Sequence, residues 1–270
     1  MKLKLYIPTC DRYLWLMKPF SFLFNRFWDD SIDVIYLGYK TPEFINDMPS
    51  NFSFISMGDD DNLDNWSNDL RQYFNKIDDE YFMVTVDDSF LVDYTDIELY
   101  QKALLYLKET NNNIGRFGLE RDLVTRPHQY WESFMGMNLV EAKPESTSRI
   151  SLRWSIWKRE YFCKYLKAGR IPWTFEANGT SESVNDGWGI VSFALKNPKK
   201  APDNAVVFNT NAIWRNWFED KNRLNLNDCA HDNPSKSLDK EILNEMIDLK
   251  YFNNEIEFGS IYNKEWYKIQ

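Results

Sequence analysis

An apolar, β-branched run, Tyr81-Phe82-Met83-Val84-Thr85-Val86, drives straight into two adjacent carboxylates, Asp87 and Asp88. The run does not alternate with polar residues, so it reads as a strand buried on both faces, over 81–87. Such strands belong to parallel sheets covered by helices on each side, which is a strong constraint on the fold. Two acids at the point where a buried strand leaves the core are poorly solvated and repel each other. They favour a divalent cation or another positive partner. The plainer reading is a strand-to-loop turn capped by acids, since Asp is common in turns.

The rest of the chain supplies what such a sheet needs. Further strands are expected over 3–8, 33–38, 52–57, 114–119, 149–154 and 205–208. A helix is expected over roughly 13–28, opened by Pro19, with Leu16, Phe20, Leu23, Phe24 and Phe27 at helical spacing. The window 65–77 puts Trp66, Leu70, Tyr73, Phe74 and Ile77 on one face. Thr95 and Glu98 form a capping-box pattern before a helix to about 108, with Ile97, Tyr100, Leu104 and Leu107 facing in. A helix over 158–168 ends at Gly169 with Pro172 behind it, and a last one covers 238–250. Residues 170–235 read as loop-rich. The sum is an α/β chain with a Rossmann-type, mostly parallel sheet flanked by helices in a single domain. Ligands bind such sheets beyond the carboxyl ends of the strands. Asp11 and Arg12 stand at one expected end, Asp87 and Asp88 at another.

Composition narrows the partners. A length of 270 residues suffices for one large core. A net charge of −9 disfavours non-specific binding to nucleic acid or to an anionic membrane face. Cys10, Cys163 and Cys229 are odd in number and widely spaced, which points to free thiols in a reducing compartment and hence to the cytoplasm. The opening residues read as a strand, not a leader, and no run has the length of a transmembrane helix. Eleven Trp offer ring faces for sugars or bases, although most are expected in the core. A second acidic cluster, Asp59-Asp60-Asp61, is flanked by Gly58, Asn62 and Asp64 and reads as a solvated loop.

Two blocks carry a resemblance. The first is Ile7-Pro8-Thr9-Cys10-Asp11-Arg12-Tyr13, then Trp66-Ser67-Asn68-Asp69-Leu70, then Glu80-Tyr81-Phe82 leading to Val86-Asp87-Asp88-Ser89-Phe90-Leu91. The second is Ser151-Leu152-Arg153-Trp154-Ser155-Ile156-Trp157-Lys158-Arg159-Glu160-Tyr161, followed by Pro172-Trp173-Thr174-Phe175-Glu176. Together they resemble GT-A-type glycosyltransferases of bacterial surface-polysaccharide clusters and phages, over about residues 4–215. The resemblance implies a hexosyltransferase-type enzyme that takes a nucleotide-sugar donor, UDP-sugar by analogy, and a glycan or other hydroxyl acceptor, with Mn²⁺ or Mg²⁺. It implies a nucleotide-binding half over 1–110, an acceptor half over 111–235 and a C-terminal helix and tail over 236–270. Asp88 would ligate the metal with Asp87 beside it, although adjacent acids depart from the family's spaced DxD. Thr9, Asp11 and Arg12 would hold the nucleotide, with Arg12 pairing to phosphate oxygens.

On the acceptor side, Glu176 is the candidate general base, since a base must reach the acceptor hydroxyl. Its alternative role is to hydrogen-bond a backbone turn. Trp173 and Trp154 form a candidate stacking wall with Arg153 beside them. Trp157 is expected in the core, within a helical pattern that includes Phe162 and Leu166. Trp188, in the turn Asp186-Gly187-Trp188-Gly189, would shape the acceptor site. His231 is a candidate third metal ligand. Two other readings stand beside this one. A non-catalytic carbohydrate-binding scaffold would bind glycan without nucleotide. A nucleotidyltransferase would need a Gly-rich phosphate loop, and Pro8-Thr9-Cys10-Asp11-Arg12 has no glycine. Nucleic acid enters only if the acceptor is a modified base.

Overall fold

A computed structural model describes residues 3–58, 62–110, 113–120, 123–194 and 241–252, and the backbone of 122, 207–208, 213–215, 222–225, 240, 257–260 and 265–268. Asp59-Asp60-Asp61, Cys229 and His231 lie outside the described residues. The chain clusters into two compact units. One comprises Met1–Asp11, Asp30–Val86 and Asp96–Ala205; the other comprises Arg12–Asp29, Asp87–Thr95 and Val206–Gln270.

The first unit is built on strands β1 (Leu5–Pro8), β2 (Val34–Gly38), β3 (Phe52–Ser56) and β4 (Tyr81–Val84). In the other unit β5 is Leu91–Asp93; the first unit resumes with β6 (Ile114–Gly118), β7 (His128–Phe134), β8 (Met137–Ala142), β9 (Ser155–Lys158) and β10 (Gly189–Phe193). The sheet order is β3-β2-β1-β4-β9-β6-β10-β8-β7. Only β9 and β8 run against the rest, so the sheet is mixed and mostly parallel. The strands expected over 3–8, 33–38, 52–57, 81–87 and 114–119 are all present. In that order β9 lies next to β4, and β6 next to β9.

Burial of the central strands follows from cover on both faces. Helices α2 (Trp66–Phe74), α4 (Arg159–Tyr165) and α5 (Pro172–Glu182) bring Phe74, Phe162 and Phe175 against Phe82 and Trp157. Phe74 stacks on Phe82 with centroids 4.5 Å apart, and Phe162 meets both rings edge-on at 5.0 and 5.5 Å. Helix α3 (Ile97–Glu109) packs Tyr106 against Phe117 and Phe134, at 6.1 and 5.3 Å. Aromatic pairs in such geometries add to the area they bury.

Several local expectations are corrected. The strand expected over 149–154 is instead β9, Ser155–Lys158, so Trp157 is a buried strand residue opposite Phe82 and Arg116, not part of a helix. Helix α3 is capped by Asp96, whose Oδ1 accepts from Leu99 N at 2.9 Å, and not by Thr95. Its buried face is Leu99, Tyr100, Ala103, Tyr106 and Leu107, which follows from that start. Asp96→Ala is expected to cost about 1 kcal/mol, the usual worth of an N-cap. Chemical denaturation checks it, and an unchanged midpoint would contradict the cap.

The second unit is described by itself. Helix α1 (Met17–Phe27) has Pro19 in its first turn, where a missing N–H is tolerated. Phe20 meets Phe90 at 6.2 Å, just before β5, and Thr95 N donates to Phe27 O at 2.8 Å. Strand β5 pairs with β11 (Val207–Phe208), and β12 (Ile213–Arg215), β13 (Asn222–Asn225), β14 (Glu257–Ser260) and β15 (Glu265–Lys268) form a separate sheet. Helix α6 (Lys240–Asp248) is joined to α1 by Arg26 Nη1 donating to Glu245 Oε2 at 2.8 Å. Among the described residues no helix is long and apolar enough to cross a membrane.

Candidate functional site at the carboxyl edge of the sheet

Within the first unit, β1, β4 and β6 end at one edge of the sheet, and the antiparallel β9 begins there. Ser155, the first residue of β9, pairs with Val84 of β4 and Gly118 of β6. Thr85 N continues toward Tyr6 O at 3.4 Å, and Leu119 N donates to Trp154 O at 2.9 Å. The segments leaving or entering at this edge are therefore Thr9-Cys10-Asp11, Thr85-Val86, Leu119-Glu120 and Arg153-Trp154.

Their side chains take different roles. Asp11 Oδ1 accepts from Lys40 N at 2.8 Å and ties the loop after β1 to the loop after β2. Tyr39 beside it donates from its hydroxyl to Asp69 Oδ2 at 2.9 Å. Thr9 is buried, and a Cβ on Gly38 would meet its methyl at 3.0 Å, so its side chain packs between strands instead of reaching outward. Trp154 is fully buried, which removes it from the expected stacking wall. Arg153 is half-buried; its carbonyl accepts from Ser155 Oγ at 2.8 Å.

Glu176 sits on α5 with Oε1 accepting from Leu152 N at 2.6 Å. Thr180 Oγ1 accepts from Ile150 N at 3.1 Å, and Arg149 Nε donates to Ser183 Oγ at 2.9 Å. These pairings run 183 to 149, 180 to 150 and 176 to 152, so the first turn of α5 lies toward Arg153. Trp173 is in that turn and is 67% exposed, with its ring open to a ligand. Trp188 is placed elsewhere. It precedes β10, which runs parallel to β6, so it lies at the opposite, amino edge of the sheet.

One residue at the carboxyl edge escaped the sequence reading. Glu120 is 3% exposed and stands two residues after β6, while Ser192 Oγ donates to the carbonyls of Gly118 and Glu120 at 3.2 and 2.7 Å. The signal was present: an acid just after a buried strand, the same pattern as Asp87.

In the second unit, Asp87 and Asp88 form a turn that the chain enters directly from Val86. Asp87 is 8% exposed. Burial pushes the Asp88 carboxyl up to about 6, since desolvation disfavours its charged form. Arg12 is exposed, with its guanidinium 5.8 Å from the Tyr13 ring centroid. The acidic turn fits a divalent cation, because a desolvated carboxylate next to a second acid is relieved by positive charge. Among the described residues no group of three His, Cys, Asp or Glu could hold a metal. A cation here would take one or two carboxylates from the chain and complete its shell with water or phosphate oxygens, a pattern Mg²⁺ accepts.

No family model matches the chain, and no curated protein does. Among solved structures, the chain is similar to the mannosyltransferase PcManGT from Pyrobaculum calidifontis in complex with GDP-Man and Mn²⁺. Identity is 12%, TM-score 0.43, covering 74% of this chain and 58% of that one. It is also similar to the bifunctional glycosyltransferase WbbM, at 9% identity and TM-score 0.40, over 67% of this chain and 37% of that one. The UTP-bound UGPase from Acinetobacter baumannii gives 12% identity and TM-score 0.42, over 73% of this chain and 87% of that one. These three are two glycosyltransferases and a UGPase; a cytidylyltransferase from Leptospira borgpetersenii also matches, at 13% identity and TM-score 0.40, over 76% of this chain and 82% of that one, and at these scores none of them bears on this chain's substrate.

Proposed function

We propose that the chain transfers a sugar from a nucleotide-sugar donor, a UDP-sugar in the first instance, to a hydroxyl of a glycan acceptor, with Mn²⁺ or Mg²⁺. The supporting observation is the desolvated acidic turn, Asp87-Asp88, joined to the end of a buried strand in a mostly parallel sheet. In this reading Asp88 and Asp87 hold the metal. When bound, the metal neutralises charge on the departing diphosphate. Arg12 pairs with phosphate oxygens, for which an exposed guanidinium is suited. Asp11, fixed by the Lys40 amide, accepts from the ribose or base.

On the acceptor side Trp173 provides a ring for a sugar to stack on. Glu176 takes the acceptor proton. One of its oxygens is held by Leu152 N, and the other makes no hydrogen bond among the described residues, so the carboxylate is oriented with one face open. The same backbone bond is what a purely structural Glu176 would make, and one substitution separates the two. Glu176→Gln keeps an acceptor for Leu152 N. It is expected to leave the melting temperature unchanged and to lower kcat by about a hundredfold or more. Retained kcat in a folded Glu176→Gln protein would reduce Glu176 to a fastener of the 149–152 segment. The place of the activity in surface-polysaccharide assembly is part of the same proposal.

A further inference from the structure

Outside that edge, the first unit has a cleft of about 310 Å³ at the opposite, amino edge of the sheet. Its walls include Asn113, Gln129, Trp131, Glu141, Asn185 and Trp188. Topology explains their meeting: Asn113 precedes β6, Trp188 precedes β10, and Gln129 of β7 is registered with Glu141 of β8.

The rim is preformed. Asn185 and Gly187 both adopt left-handed backbone, with φ of 58° and 85°. Asp186 between them locks the turn: Oδ1 accepts from Trp188 N at 3.1 Å, and Oδ2 accepts from Lys164 Nζ at 2.9 Å and from the Tyr165 hydroxyl. Asn113 Nδ2 donates to Gly187 O at 2.8 Å. Trp131 is pinned by its indole N–H donating to the Tyr106 hydroxyl at 2.7 Å, and Tyr106 donates in turn to Glu132. A site ordered in advance loses less entropy on binding.

The polar groups that remain are those a polyol uses. The Asn185 amide makes no hydrogen bond among the described residues. Among the described residues Asn113 Oδ1, Gln129 Oε1 and Glu141 Oε1 are also open, because Asn113 bonds through Nδ2, and Gln129 Nε2 donates to Glu141 Oε2. The amides can donate to and accept from neighbouring hydroxyls, the carboxylate can accept from them, and indole surface takes the apolar face of a sugar ring. Arg149, the one cation among the described lining residues, is already committed: it donates to Ala142 O, Lys143 O, and the hydroxyl and carbonyl of Ser183. Lys158 Nζ lies 5.5 Å from the Trp188 ring centroid, so that ring already faces a cation. The volume is at the lower end for small-ligand clefts, which start at about 300 Å³.

We propose that this cleft is a second binding site, for a neutral carbohydrate, separate from the carboxyl edge and requiring neither nucleotide nor metal. The test is calorimetric titration of glucose, galactose, mannose, N-acetylglucosamine, maltose and cellobiose at millimolar concentration, in chelator and without nucleotide. Wild type and Asp88→Asn are compared with Asn185→Gly and Gln129→Ala. Glycine keeps the left-handed backbone at 185 without strain, so Asn185→Gly removes the amide and leaves the turn. At least one sugar is expected to bind, equally well to wild type and Asp88→Asn. Affinity should fall about tenfold in Asn185→Gly or Gln129→Ala, as expected for losing hydrogen bonds to the ligand. Glucuronic acid should bind more weakly than glucose. Failure of every sugar to bind, or binding indifferent to both cleft variants, overturns the proposal. Neither result touches the metal-dependent reading of Asp87-Asp88, because nucleotide and metal are absent.

Discussion

Asp88→Asn is expected to abolish metal-dependent sugar transfer and, without metal, to make the protein more stable at neutral pH. The two effects have one cause. Burial raises the Asp88 carboxyl from 3.8 to about 6 in the folded chain. The folded state therefore holds this proton more tightly than the unfolded state, and stability declines as pH rises between about 4 and about 6. Above that window the penalty is fully present. Asparagine cannot ionise, so the variant should show no such decline and should gain on the order of 1–2 kcal/mol at pH 7. A divalent cation reverses the order, since it binds the ionised wild type and offsets the penalty, whereas the variant gains nothing. Activity should drop by at least about a hundredfold, because a metal supplies several kcal/mol of charge stabilisation. Thermal melts across pH 4–8, with Mn²⁺ and with chelator, decide it. A variant less stable than wild type at pH 7 in chelator would contradict the desolvation account.

Gly115→Ala carries the largest expected loss of stability. The pairing of β6 with β10 shifts register, with Gly189 opposite Ile114 and Ile190 opposite Arg116, so Gly115 is the extra residue of a bulge. A Cβ there would lie 2.3 Å from both Cδ1 and Cγ of Tyr161. The contact is at the root of a fully buried ring on α4, which is also packed against Trp157, Tyr165 and Trp188 at 6.0, 5.1 and 5.2 Å. The ring cannot retreat without moving that helix. Overpacking of this kind costs about 3 kcal/mol or more, enough to lower the melting temperature by roughly 10 °C. A melting temperature within about 2 °C of wild type would show that α4 is not seated as described.

The sequence makes the amino-terminal strands legible because each is a short buried run punctuated by turn residues, and Trp66, Leu70 and Phe74 mark α2 by spacing alone. What escapes has a physical reason in each case. Helix α5 contains Asn178, Gly179, Thr180 and Ser181, poor helix formers, and is held by tertiary contacts: Phe175 in the core, Gly179 against Ile150, and Glu176 on Leu152 N. Strand β10 was lost behind the Gly187-Trp188-Gly189 turn. The hairpin of β7 and β8 is closed by Met135 and Gly136 at φ of 46° and 79°, and a methionine in left-handed backbone gives no turn signal. At the site, residue type was readable and solvent access was not. Trp154 and Trp173 look alike in sequence, yet one is fully buried and the other 67% exposed. Two acids ending a buried strand are unusual and mark Asp88; Glu120, a single acid in a like place, carries half of that signature.

In the proposed function the acidic turn binds a nucleotide through a divalent cation. The most direct measurement is calorimetric titration of UDP and of GDP into wild type and Asp88→Asn, each with Mn²⁺ and with chelator. The predicted result is binding of one nucleotide, UDP in the first instance, only with metal and only to wild type. Binding of neither nucleotide under any condition, or binding that survives both chelator and Asp88→Asn, would contradict it and favour a protein that recognises carbohydrate without transferring it.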